Sequence, residues 1–455
     1  MNVVIIGGGL GGLVLAWRLQ QAGIAYTLFE ADAQPGGNFR SLTNPAGYLL
    51  EAGPNSVQLT PELETLLAEL GLTDDLIEPA GVSGRRYVLR GGRYRELPGS
   101  PPALLAGSFF GLGTKWRLLR ELWLPPAAPN PTETVATFFE RRFGREILDY
   151  AVNPFTSGIY AGDPAQLLLH YTFPSLAALE QAHGSVLRGL IKSKTGGGRR
   201  RIVGLKNGLQ SLPLALAARL TGYQPNTTVT GLTRAGNGGF WVEAARVSDP
   251  QGTAENEAGR GLKTHATHLA LALPAHAAAT LLTNLFPAAA AALAAVHYPP
   301  LSVVFSAYDR AAVAHPLDGF GALHPKVEAP YAAGSIWSSS LYPARVPAGQ
   351  VLFTTFVGGV QYAEAAGQPE AAQLAAVDEE LRRLYGITAA PRWQGRYYWP
   401  RSIPQFDAHI GPAQAAVDAL APEGVVAVAN WRAGVGIPDV LRRAELVARE
   451  LVSGF

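Results

Sequence analysis

The chain alternates short apolar runs with glycine-rich turns and amphipathic stretches. Residues 3–6 form an unbroken apolar run, too short for a helix, that predicts a buried strand. Six residues, Gly7 to Gly12, follow with only Leu10 interrupting the glycines. Leu13, Leu15, Ala16 and Leu19 then predict a helix over 13–21 that Gly23 ends, and residues 25–30 predict a second strand. Further on, the pattern predicts strands at 224–229 and 239–244 around the turn Gly236-Asn237-Gly238-Gly239. A strand at 268–273, helices at 275–285 and 288–296, and a strand at 301–307 come next. Pro438 opens a long amphipathic helix over 438–452. Strands alternating with helices predict an α/β chain.

Composition narrows the chemistry. The 455 residues suffice for about three domains. Hydrophobic residues make up 48% and charged residues only 16%. Residues 264–308 carry no Asp, Glu, Lys or Arg. Pro274, Pro287, Pro299 and Pro300 break that stretch, so no piece offers the roughly 20 strongly apolar residues of a membrane span. It reads as a buried α/β segment. The first residues lack a basic segment and a small-residue cleavage site, so no signal peptide is expected and the predicted location is cytoplasmic. With no cysteine, thiolate metal sites, disulfides and thiol nucleophiles are excluded. The formal net charge of +2 gives no case for nucleic acid. No G-x-S-x-G occurs, and His265 and His268, three apart at a strand entry, read as structural rather than metal-binding. The reactive group is expected to be a bound organic cofactor.

The first thirty residues say which kind. Gly7, Gly9 and Gly12 fall in G-x-G-x-x-G register between a strand and a helix, and Glu30 closes the next strand. That order is the dinucleotide-binding fingerprint: glycines admit a pyrophosphate, the helix start offers N–H groups, and the acid accepts ribose hydroxyls. Gly36-Gly37, followed by Arg40-Ser41, resembles the extended FAD signature of amine-oxidase-like flavoproteins.

Glu51-Ala-Gly-Pro-Asn-Ser56 with Glu69–Leu72 resembles the oxygen-dependent protoporphyrinogen/coproporphyrinogen oxidase family. The resemblance recurs at Arg86-Tyr-Val-Leu with Leu97-Pro98, at 157–164, at Phe173-Pro174, Glu180 and Gly184-Ser185, and at 319–323. Ser338-Ser339, 354–359, 403–406 and 434–438 complete the series. Amine oxidases of the same fold carry a G-E-x-T-type element before the last helix; here Asn430-Trp431-Arg432 stands instead. The resemblance implies an FAD/NAD(P)-binding Rossmann-like, p-hydroxybenzoate-hydroxylase-like domain with a mixed-sheet substrate domain and a helical membrane-associated domain. The FAD domain would comprise 1–84, 202–274 and 400–455, the helical domain 85–201, and the substrate domain 275–399.

The same resemblance implies noncovalent FAD held by Gly7, Gly8, Gly9, Leu10, Gly11, Gly12, Glu30, Ala31, Gly37, Asn38, Arg40, Gly53, Pro54, Asn55, Ser56, Val229, Trp399, Val435, Gly436 and Ile437. Arg86 would meet substrate propionates, with Asn55 near the flavin and Leu323, Ile336 and Phe356 sandwiching the rings. Arg85 next door leaves the arginine uncertain by one residue. The implied reaction is oxidation of protoporphyrinogen IX to protoporphyrin IX, in three two-electron steps at the flavin, with O2 consumed and hydrogen peroxide released, in haem biosynthesis. Coproporphyrinogen III oxidation and, more distantly, amine oxidation are the alternatives. Ferrochelatase is an implied partner.

Charge distribution adds a partner surface. Residues 85–120 carry a local +7 and residues 188–206 another +7, leaving −12 on the remainder. Leu104, Leu105, Phe109, Phe110, Leu112, Trp116, Leu118, Leu119, Trp123 and Leu124 are interleaved with the first basic group. Such interleaving fits an interfacial helix on anionic lipid or a buried helix with a solvated face. The family resemblance favours peripheral association with an anionic membrane surface. Residues 192–201 around Gly196–Gly198 read as an exposed loop.

Overall fold

The computed structural model describes residues 1–192, 201–236, 238–246 and 261–454, without the side chains of 101, 102 and 105. Most of the 192–201 loop, the turn residue Asn237 and the Leu105 side chain therefore lie outside the described residues.

The N-terminal strand Asn2–Ile6 sits mid-sheet. Its parallel neighbours are Ala25–Phe29 and His268–Leu271, with Tyr223–Gln224 and Val425–Ala427 at the edges. Its run is continuously apolar because both faces are covered. Val3 and Ile5 pack with Leu13, Leu441 and Ala444 of the helices Leu10–Gln21 and Ile437–Ser453. Val4 and Ile6 pack toward the antiparallel sheet Thr227–Arg234, Phe240–Arg246 and Leu262–Ala266. The strand expected at 224–229 is in fact two, because Pro225 lacks the N–H a continuous ladder needs. The remaining predicted α/β elements form within a few residues of the expected ends.

A second, seven-stranded sheet runs in the order Trp393–Trp399, Leu301–Asp309, Gln350–Gly358, Gly334–Trp337, Gly321–Leu323, Tyr87–Arg90, Arg93–Glu96. One correction follows. Residues 85–201 were expected to be helical, yet the hairpin Tyr87–Glu96 pairs in parallel with Gly321–Leu323 and forms this sheet's edge. One sheet face is sealed by the helix Glu370–Tyr385: Val377, Leu381 and Tyr385 bury Val304, Tyr308, Trp337 and Phe353.

The rest of that region, from 101 to 192, is helical, and buried charge holds it together. Arg142, Glu121 and Glu180 are almost fully buried. Arg142 Nε donates to Glu180 Oε1 at 3.0 Å, and Arg141 donates to both Glu180 oxygens at 2.8 and 2.7 Å. Glu121 accepts from Ser185 Oγ at 2.6 Å and the Val186 N–H at 2.9 Å. These bonds join the helices Leu112–Glu121, Val135–Phe143, Pro174–His183 and Val186–Lys192. The motif residues Glu180 and Ser185 are thus structural. No helix among the described residues is long and apolar enough to cross a membrane.

Burial pushes the Glu180 carboxyl up, but hydrogen bonds from Arg141, the Ala127 N–H and Arg142 outweigh it and hold the group at about 2. Its contribution to stability is therefore present above its ordinary value of 4.5 and is lost as pH falls toward about 2. Glu180→Gln is expected to cost about 3 kcal/mol at pH 7, because it removes the carboxylate that Arg141 and Arg142 share and leaves buried Arg142 with Glu121 alone, 3.4 Å away. Urea denaturation measures this, and an unchanged midpoint contradicts it.

Candidate active site

The glycine turn after Asn2–Ile6 has two kinds of glycine. A Cβ on Gly11 would lie 2.1 Å from the Val428 carbonyl oxygen, and one on Gly12 2.2 Å from that of Gly7, so these two admit packing of the helix. Gly9 is different: its nearest neighbour beyond the adjoining chain is 3.8 Å away, and it caps the helix with no side-chain bond. Gly36 donates to the Gly8 carbonyl at 2.8 Å, and a Cβ on Gly37 would find only Gly9 Cα at 3.5 Å. Gly9 and Gly37 therefore offer a strip of bare backbone beside the N-terminus of the helix Leu10–Gln21, whose first residues Leu10, Gly11 and Gly12 are buried. Arg40 lies alongside, with its Nε buried and without a hydrogen-bond partner. Backbone without side chains, free N–H groups and an orphaned guanidinium nitrogen fit a pyrophosphate.

Glu30 is held in place. Its Oε2 accepts the Gly8 N–H at 2.5 Å and its Oε1 the Asp32 N–H at 2.8 Å, while burial raises its pKa above the ordinary range. The remaining lone pairs are what it has for ribose hydroxyls. Ala31 and Asn38 are exposed at the strand end and the second glycine turn, and Val229 is buried in the antiparallel sheet.

The turn 51–56 meets this strip. A Cβ on Gly53 would fall 1.9 Å from the Asn38 carbonyl oxygen, so the two turns touch backbone to backbone. Glu51 anchors the turn from inside, accepting from Ser41 Oγ at 2.6 Å and the Leu209 N–H at 2.8 Å, with Arg345 3.4 Å away. Asn55 is buried, and its Nδ2 reaches the Gly53 carbonyl at 3.3 Å, closing its own turn between Pro54 and Ser56. Trp399 Nε1 donates to the Ala52 carbonyl at 2.9 Å, joining the turn to the seven-stranded sheet. Val435, Gly436 and Ile437 form the entry to the last helix. Asp439, unforeseen from sequence, turns back there: a Cβ on Gly436 would lie 2.7 Å from its carboxylate.

Register decides which side chains share the sheet's second face. Leu323 stands opposite Gly334, and Gly334 opposite Phe356; Ile336 stands opposite Gly321 and Thr354. Cross-strand partners point the same way and alternate residues repeat, so Leu323, Ile336 and Phe356 lie on one face. Tyr397 and Trp399 share it through Val303 and Leu301. These five large side chains are half-buried, whereas Trp337 and Phe353 on the sealed face are fully buried. The helix Asn153–Tyr160 roofs part of this face, its Gly158 so close that a Cβ would meet Leu323 at 3.0 Å.

The arginine ambiguity has a geometric answer. Val88 pairs with Leu323 and therefore shares its face, and Arg86, two residues earlier, projects to the same side beside Gly321. Arg86 is exposed and makes no ion pair among the described residues; its guanidinium lies 5.5 Å from the Phe320 ring. Arg85 projects to the other side and donates to Asp318 at 2.5 Å. From the Phe356 strand to the Arg86 strand is three strand steps, roughly 14 Å. The arrangement is a flat apolar strip with a turn-bound cofactor cradle near Trp399 and a free cation at the far end. No group of three metal-ligating side chains occurs among the described residues.

Comparison with known proteins agrees with this geometry. The family described as flavin containing amine oxidoreductase matches residues 10–452. The chloroplastic protoporphyrinogen oxidase of Oryza sativa subsp. japonica is 32% identical, covering 96% of this chain and 85% of its own length. The coproporphyrinogen III oxidase of Bacillus subtilis (strain 168) is 25% identical, over 99% of this chain and 98% of its own. Among solved structures, an Exiguobacterium sp. 255-15 protein with a provisional protoporphyrinogen oxidase assignment superposes with a TM-score of 0.81 at 20% identity, covering 100% of this chain and 99% of its own. Cyclohexylamine oxidase of Brevibacterium oxydans IH-35A gives 0.70 at 17% identity, with coverage of 100% and 99%. A match along nearly the whole chain, together with 32% identity over 470 residues, shows that this protein is a flavoprotein of the flavin containing amine oxidoreductase family and belongs, within it, to the protoporphyrinogen oxidases.

Proposed function

We propose that the protein oxidises protoporphyrinogen IX to protoporphyrin IX with noncovalent FAD as cofactor and O2 as electron acceptor, releasing hydrogen peroxide, in haem biosynthesis. The observation that carries this reading is the shared face of Leu323, Ile336, Phe356 and Arg86, an apolar strip ending in an unpaired cation. A flat macrocycle with carboxylates at one edge has that pattern. When bound, the flavin supplies a hydride acceptor and a route for electrons to oxygen. The chain's part is positional. The Gly9–Gly37 strip and Arg40 would receive the pyrophosphate and Glu30 the ribose. The 51–56 turn, Trp399 and the Val435–Ile437 entry would border the flavin ring. Leu323, Ile336 and Phe356 would exclude water from the macrocycle, and Arg86 would orient it through a propionate. The absence of cysteine rules out a thioether link to the flavin.

The FAD-binding unit is assigned to 1–84, 202–274 and 400–455, and the substrate sheet to 275–399 with the hairpin Tyr87–Glu96 added. Coproporphyrinogen III is the second reading, supported by the nearly end-to-end match to the Bacillus subtilis enzyme of that name. A functional contact with ferrochelatase, which consumes the porphyrin, belongs to the same reading.

Peripheral membrane association is also proposed. On the helix Leu112–Glu121 and just beyond it, Leu112, Trp116, Leu119 and Trp123 are exposed, at 83%, 65%, 46% and 73%. Leu190 and Ile191 are exposed on the helix Val186–Lys192. The sequence stretch divides, since Phe109, Phe110 and Leu118 are buried. The exposed set, with Arg120 and Lys192 close by in the chain, supports shallow insertion into an anionic surface on the cytoplasmic side.

Two measurements test these readings. Arg86→Ala is expected to raise the porphyrinogen KM about tenfold, the worth of one charge-assisted hydrogen bond, with flavin content unchanged. An unchanged KM rejects the propionate role. Trp116→Ser/Trp123→Ser is expected to release the protein from sedimenting anionic vesicles without altering turnover of dissolved substrate. Undiminished co-sedimentation rejects the membrane surface.

A further inference from the structure

Arg85 and Arg86 are chemically identical neighbours at the entry of an edge hairpin, and only one of them can face the site. A one-residue slip of a strand moves every side chain to the other face. Here a slip would put Arg85 on the substrate face and remove Arg86 from it. The hairpin pairing and the buried Val88 and Leu89 hold the register from residue 87 onward, but Arg85 and Arg86 precede the ladder. Parallel pairing begins at Tyr87–Ala322; before it, Phe320 N–H bonds the Arg85 carbonyl and Leu97 N–H the Arg86 carbonyl, each 2.8 Å, and Arg85 N–H bonds the Val82 carbonyl at 3.1 Å.

Asp318 holds the alternation at this entry, where the ladder does not reach. Its Oδ2 accepts from Arg85 Nη1 at 2.5 Å and its Oδ1 from Tyr87 OH at 2.8 Å. These are the two chain neighbours of Arg86, and both lie on the sealed side, where Tyr87 packs on Trp337 with centroids 5.3 Å apart and the rings tilted by 35°. Gly319 lets the loop lie flat against this pair, since a Cβ there would stand 2.8 Å from the Tyr87 ring. Phe320 then places its ring beside the Arg86 guanidinium.

We propose that Asp318 is the positioning residue for substrate recognition. By taking hydrogen bonds from residues 85 and 87 together, it fixes them on the far face and leaves Arg86 only the near one. The carboxylate touches neither substrate nor cofactor and acts through Arg86. The proposal rests on Arg86 being the carboxylate partner, and the variants below separate the two claims.

The test is a double-mutant cycle on the flavin-loaded enzyme, reading KM and kcat for the porphyrinogen together with the flavin absorbance spectrum. Asp318→Ala is expected to raise KM about 5–10-fold, approaching the effect of Arg86→Ala, with kcat and the spectrum unchanged. Added to Arg86→Ala, it is expected to raise KM less than about twofold further, because the group it positions is gone. Arg85→Met/Tyr87→Phe removes the donors instead of the acceptor and is expected to reproduce the KM rise, which keeps the test available if Asp318→Ala does not fold. An Asp318→Ala KM equal to wild type, or a full multiplicative effect on top of Arg86→Ala, overturns the positioning role while leaving that of Arg86 intact. No KM change for Arg86→Ala itself overturns the recognition reading and the positioning role with it.

Discussion

Uneven burial of the seven-stranded sheet is the constraint on which the rest of the structure depends. Period-two alternation sends half of each strand's side chains to each face, and only one face is sealed by a helix, Glu370–Tyr385. The sealed face has the residues of a core: Trp337, Phe353, Tyr308 and Val304, each 0% exposed. The other face is closed by Tyr48, Leu50 and Ala52 over Val303, Phe305, Ala307 and Leu352, and keeps Leu323, Ile336, Phe356, Tyr397 and Trp399 half-covered, a state that is costly in water and useful against an apolar ligand. Gly321 and Gly334 lower its floor between Leu323, Ile336 and Phe356, and their backbones are too close to the neighbouring strand for a side chain.

The cofactor side depends on contacts of a different kind. Three turns from the first 56 residues meet with almost no side chain between them: the turn at Gly9, the turn at Gly37 and the turn at Gly53. Glu51 then ties the third turn to Ser41, Leu209 and Arg345 from below. The Trp399 bond to Ala52, with Tyr48, Leu50 and Ala52 packed on Val303, Phe305 and Leu352, carries that order across to the sheet, so cofactor cradle and substrate face are referenced to one another. The helical region is fastened by a buried charge cluster around Arg142 and Glu180. Such clusters specify an arrangement at some expense in desolvation.

What sequence reading could see was local. The strand–glycine–helix–strand unit over 2–30 was legible because its pattern and its turn chemistry both act within thirty residues. The uncharged 264–308 stretch was legible as α/β because its prolines fall between elements. The hairpin Tyr87–Glu96 was misassigned to the helical region because its sheet partner, Gly321–Leu323, lies more than 200 residues away and nothing local announces the pairing. Asp318 and Asp439 were invisible for the same reason: an isolated acid declares its role only when its partners are in place. The motif pointed to Arg86, uncertain by one residue because of Arg85 next door, and strand alternation puts the two on opposite faces. Glu180 and Ser185 were legible as motif positions, yet their function is to hold helices together.

The central claim is that the apolar strip and Arg86 present a porphyrinogen to a bound flavin. Its most direct test is aerobic incubation of the purified yellow protein with protoporphyrinogen IX and, separately, coproporphyrinogen III, following porphyrin fluorescence and peroxide against an enzyme-free control. The account predicts enzyme-dependent porphyrin formation with three equivalents of peroxide per macrocycle. Porphyrin formation no faster than the control with both substrates, from protein that retains its flavin, would contradict it.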